Sequence, residues 1–101
     1  MYRKIEEIVE KHFNLDPDQL RNIGNMTRNV TDARSFTWYI LRYRFGYSAR
    51  TLAVEYKVSR RSIFYGMGNV RNGLKYQPFY QQHYRQIMEK VKENCPEMPG
   101  Q

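Results

Sequence analysis

Apolar residues recur along this chain at helical spacing, and no segment sustains residue-by-residue alternation. Ile5, Ile8, Val9 and Phe13 fall at i, i+3, i+4 and i+8, which predicts a first helix from about Arg3 to Phe13, ended by Asn14. Asp16-Pro17 puts an acidic cap before a proline at a first helical position, so a short second helix is expected. Leu20 and Ile23 would be its buried face and Gly24 its stop. Residues 25–31 have no periodicity and read as a loop containing Arg28. Thr31 or Asp32 then caps a third helix running to about Phe45. Phe36, Trp38, Tyr39, Ile40 and Leu41 make that helix apolar over most of its girth, which suits the centre of a domain. Arg42 and Arg44 favour its negative end, and Gly46 terminates it.

Ser48 caps a fourth helix that ends near Tyr56, and a fifth runs from Ser59 or Arg60 to about Asn72. The core stripe of the fifth is Ile63, Met67, Val70 and Leu74. Gly66 and Gly68 within it each cost roughly 1 kcal/mol relative to alanine, which a close helix crossing would offset. Pro78 opens a sixth helix with Tyr80, Tyr84, Ile87, Met88 and Val91 along one side; Pro96, Pro99 and Gly100 mark a frayed tail. The expectation is an all-α, six-helix, bundle-like single domain over residues 1–94, with a flexible tail over 95–101.

Residues 48–72 have a second property: their layout matches a DNA-binding helix-turn-helix. Leu52 and Tyr56 share a helical face, Ala53 is small where two helices cross, and Val58 is the apolar residue of the turn. Ser59 caps the second helix and Ile63 packs back on the first. Arg60, Arg61 and Ser62 then fall in the first turn of the second helix, where a recognition helix meets base edges. Two short amphipathic helices and a tight turn also occur in domains that bind no polyanion, so the spacing alone does not decide.

Charge shifts the balance. The chain carries net +7, and the surplus is concentrated. From Ala33 to Met88 the only acid is Glu55, against Arg34, Arg42, Arg44, Arg50, Lys57, Arg60, Arg61, Arg71, Lys75 and Arg85. Most other acids sit near the ends, with Glu6, Glu7 and Glu10 reading as a solvated helix face. A basic centre of this kind is the footprint of a polyanionic partner.

The order of parts resembles the C-terminal DNA-binding domain of the bacterial replication initiator DnaA, in the Trp-repressor-like helix-turn-helix group. The likeness runs from about Ile5 to Leu74: an opening helix at 5–13, a short helix, a basic loop at 25–32, a central helix led by Ala33-Arg34-Ser35, then Ser48 through Leu52-Ala53 entering the helix-turn-helix. Where that family carries Asp-His-[Ser/Thr]-Thr-Val, this chain has Arg60-Arg61-Ser62-Ile63-Phe64. Ser62 fits and Phe64 keeps an apolar residue, but the acid, the histidine and the second threonine are gone. The loop keeps only Arg28, and no phosphate-binding GxxxxGK[ST] is present. The resemblance implies a diverged relative, of the kind a phage or mobile element carries, whose base preference does not carry over.

The chain is therefore expected to bind double-stranded DNA. Arg60 and Arg61 would reach guanine edges or phosphates, with Ser59, Ser62 and Tyr65 adding contacts. Arg50 and Lys57 would meet phosphate beside the groove. As the resemblance implies, Arg28 would lie in the adjacent minor groove, supported by Arg34. The rival is a protein-interaction module on the same scaffold, with Trp38, Tyr39, Tyr43, Phe64 and Tyr65 as a partner patch. No cofactor, metal site or catalysis is expected: His12 and His83 lie far apart in the chain and read as separate rim residues, and one cysteine, Cys95, forms no internal disulfide. No run approaches the roughly 20 apolar residues of a membrane span, and a cytoplasmic, nucleoid-associated protein is expected.

Overall fold

The computed structural model describes residues 2–22, 24 and 27–94. Ile23, Asn25, Met26 and the expected tail 95–101 lie outside the described residues. The described chain is all helical: α1 (Tyr2–His12), one turn of 3-10 helix (Gln19–Arg21), α2 (Arg28–Phe45), α3 (Ala49–Tyr56), α4 (Arg60–Tyr76) and α5 (Pro78–Asn94). The expected second helix is reduced to that one 3-10 turn, because Asp18 adopts φ 67° immediately before Gln19 and breaks the helical run.

Local chemistry sets most helix ends. Asn14 stops α1 in the left-handed region, with its N–H bonded to Lys11 and that of Leu15 bonded to Glu10. Gly46, at φ 81°, ends α2, and its N–H and that of Tyr47 both close on the Leu41 carbonyl. Ser48 Oγ accepts from the Thr51 N–H and Ser59 Oγ from the Ser62 N–H, each at 3.1 Å, so both expected serine caps are present. The start of α2 differs from expectation. The helix begins at Arg28, with Thr27 as its N-cap residue, four or five residues before the expected caps Thr31 or Asp32. Arg28 is thus in the first helical turn, not in a loop.

The core forms around α2. Phe36, Ile40 and Leu41 are buried together with Ile5 and Val9 of α1, Leu52 of α3, Ile63, Met67 and Val70 of α4, and Ile87 and Val91 of α5. Two glycines let α4 approach its neighbours closely. A Cβ on Gly66 would stand 2.9 Å from the Trp38 ring and 3.0 Å from Ser35 Oγ; one on Gly73 would stand 2.3 Å from the Tyr80 ring. Gly68 does not share this explanation, since a Cβ there would meet nothing within 4 Å.

Two polar features depart from the sequence reading. Glu6 and Glu10 are buried, not solvated. Glu6, 0% exposed, accepts from Arg21 Nη2 at 2.7 Å and from the Tyr56 hydroxyl at 2.5 Å. Burial, then this bond, hold the Tyr56 phenol protonated and raise its pKa. Arg21 also lies 4.6 Å from the centroid of the Tyr56 ring, so its charge and its face are both used. The second departure joins α1 to α5: His12 Nε2 and His83 Nδ1 are 2.7 Å apart, amid the rings of Phe13, Phe36 and Phe79. These histidines are one pair and not two separate rim residues.

Candidate nucleic-acid interface

α3 and α4 are joined by the three residues 57–59. The turn closes α3 by a left-handed cap: Lys57 takes φ 58°, its N–H bonds to Val54, and the Val58 N–H bonds back to Ala53 at 3.1 Å. Val58 is then half-buried against the core, as the sequence pattern required. Leu52 and Ile63, the inward positions on either side of the turn, are both fully buried in one cluster.

This arrangement presents the cations of the unit to solvent. Arg50, Lys57, Arg60 and Arg61 are all exposed, and none has a carboxylate within ion-pairing distance among the described residues. Arg50, Lys57 and Arg60 line one shallow, open depression over Ala53, Val54 and Val58. Arg61 stands about 100° around α4 from Arg60. Ile63, Gly66, Met67, Val70 and Gly73 define the buried side of α4, which makes Arg61 point almost directly away from the core.

The one acid of the central span does not offset these charges. Glu55 pairs with Arg21 Nη2 at 2.9 Å, and the same guanidinium holds Glu6. The two carboxylates raise the Arg21 pKa, the Glu6 hydrogen bond leading, so that side chain stays charged and committed. Sequence reasoning passed over Arg21, because its partners are 15 and 34 residues away and nothing local signals them.

The remaining candidates fall into three groups. Ser59 and Ser62 are exposed, but their hydroxyls lie 3.1 Å apart and Ser59 also accepts at the cap, so they are engaged in starting α4. Tyr65 is exposed beside Arg61 on the outward face. Arg28 is exposed on α2, with its Nε 3.6 Å from Asp32. Arg34 is the correction: it is only 5% exposed, and it donates from Nε to the Leu20 carbonyl at 2.9 Å and from Nη2 to the Asn22 carbonyl at 2.6 Å. It fastens the 3-10 turn to α2 and does not face solvent. Burial lowers its pKa, as expected for a guanidinium satisfied by neutral carbonyls.

The aromatic patch of the rival reading is also divided. Trp38 is buried and Tyr39 half-buried, while Tyr43, Phe64 and Tyr65 are exposed. A cavity of about 700 Å³ opens elsewhere, between α1 and α5. Its charged lining is balanced, with Lys4, Lys11 and Lys90 against Glu7, Glu89 and Glu93, so it has no preference for a polyanion.

No protein-family model matches the chain, and no curated protein matches it. No helix among the described residues is long and apolar enough to cross a membrane.

Proposed function

We propose that this chain binds double-stranded DNA through α3 and α4, acting as a helix-turn-helix whose second helix enters the major groove. The observation that carries the reading is the set of four exposed cations, Arg50, Lys57, Arg60 and Arg61, left without carboxylate partners while Glu55 is drawn to Arg21. Unpaired guanidinium and ammonium groups around one capped helix start are the groups that neutralise the phosphates flanking a groove. The resemblance to the DnaA C-terminal domain supports the same assignment: opening helix, short turn, central helix, then two helices about a three-residue turn. Without the family's Asp-His pair, base reading passes to Arg61, and regulation of replication or transcription is the role such a domain would serve.

Arg60 and Arg61 take different parts. Arg60 shares its depression with Arg50 and Lys57, which suits a phosphate run. Arg61 projects from the outward face, where an arginine meets guanine O6 and N7. Selection from a random duplex pool supplies the preferred site, and binding of variants is then compared on it. Arg61→Ala should lose about 1–3 kcal/mol on that site and flatten discrimination at one base pair. Arg60→Ala should weaken all sequences alike. If both variants bind every duplex as the parent does, α4 is not a recognition helix.

A further inference from the structure

Phe64 and Tyr65 are adjacent on the outward half of α4 and remain 58% and 73% exposed. Neither ring stacks on another ring among the described residues. Gly68 lies on the same half of the helix. Arg61, Phe64, Tyr65 and Gly68 fall within an arc about 100° wide, at ~100° per residue. A helical side chain leans toward the N-terminus and covers the turn before its own Cα. Any side chain at position 68 would therefore lie over Phe64 and Tyr65. Glycine leaves both rings bare, and nothing inside the molecule requires glycine there, since a Cβ would meet no atom within 4 Å. The other two glycines of α4 are each explained by a ring packed against them, Gly66 by Trp38 and Gly73 by Tyr80.

On this face Arg60 and Arg61 precede the two rings, and Asn72 and Lys75 follow Gly68; α4 contains no acid. In a major groove, the one apolar group on a base edge is the C5 methyl of thymine. Resting on the reading of α4 as the groove helix, we infer that Phe64 packs against a thymine methyl, and that Gly68 keeps the helix backbone low enough in the groove for that contact. Discrimination by this chain would then depend on A·T pairs beside the base pair read by Arg61.

Deoxyuridine differs from thymidine only by that methyl. Duplexes selected from a random pool are resynthesised with deoxyuridine at each thymine in turn and bound to the full chain. At one or two positions the parent should lose about fourfold in affinity, the factor one buried methylene is worth. Phe64→Ala should bind the thymidine and deoxyuridine duplexes equally. Gly68→Ala should raise the melting temperature, as alanine does in a helix, yet bind the thymidine duplex several-fold more weakly. If the chain binds duplexes in a salt-dependent way but no deoxyuridine substitution matters, the methyl contact is refuted and the groove reading stands. Loss of affinity in Gly68→Ala accompanied by a lower melting temperature would also refute it, because the glycine would then be structural. If no duplex binds at low salt, both readings fall.

Discussion

Lys57 holds φ 58°, where a β-carbon crowds the following carbonyl. Two other described non-glycine residues share that region, Asn14 and Asp18, and both belong to the types that enter it most easily. Lysine has no such excuse. Glycine is the usual residue at this cap and would spare up to about 1–2 kcal/mol of strain. The position instead carries a cation beside Arg50 and Arg60. A strained backbone kept at a charged surface points to a use for the charge. Lys57→Gly is expected to raise stability by up to ~1 kcal/mol and to weaken duplex binding across all sequences; a denaturant midpoint and a titration on one duplex measure the two effects. Unchanged binding would remove Lys57 from the interface. Gly66→Ala should do the opposite to stability, losing about 1–3 kcal/mol, because the new methyl meets the Trp38 ring.

At the scale of elements, the ends of helices were legible where a single residue sets them. Ser48, Ser59, Gly46 and Pro78 each act within a few residues of themselves, so the chain announces them. The start of α2 was not legible, because Thr27 makes no side-chain cap bond and the polar Arg28 and Asn29 precede its first buried residue, Val30. Long-range polar partners were equally silent: Arg34 read as support for a minor-groove Arg28 because its acceptors, the carbonyls of Leu20 and Asn22, lie 14 and 12 residues earlier. The His12–His83 pair spans 71 residues, and only folding brings it together. It joins α1 to α5 through one shared hydrogen bond. Burial, then the neighbouring His83, lower the His12 pKa below its ordinary 6.5. Below that pH the unfolded chain takes up a proton that native His12 refuses. Stability is therefore complete above about 6.5 and falls as the pH drops toward the lowered native value. The charges lining the adjacent groove, Lys4, Lys11 and Lys90 with Glu7, Glu89 and Glu93, balance in sign. Glu10, whose pKa burial raises, opposes the trend by gaining protons in the native state. It is common to parent and variant, so the comparison cancels it. Denaturation at pH 7.5 and 5.5 should show a smaller loss in His12→Gln than in the parent; equal losses would mean the pair carries no pH response.

Over the whole molecule, net charge and local charge make different demands. The chain carries +7, but a cation counts in duplex binding only when it displaces a counterion from a phosphate. Arg3 and Lys90 face carboxylates, Arg21 is held by two, and Arg34 is buried. What remains around the turn is Arg50, Lys57, Arg60 and Arg61, with Lys75 about four turns further along the outward side of α4. If about five phosphates are neutralised, log K should fall against log salt with a slope of roughly −4.5, as each contributes about 0.9. The slope should respond to place and not to total charge. Arg50→Ala should make it shallower by about one unit, while Lys4→Gln with Lys11→Gln, two charges lost from the α1–α5 groove, should leave it unchanged. Binding isotherms between low and moderate salt on one random-sequence duplex decide the matter. A slope that falls equally for both changes would mean the chain attracts DNA as a diffuse cation. A slope near zero for the parent would mean that α3 and α4 meet something other than a phosphate backbone.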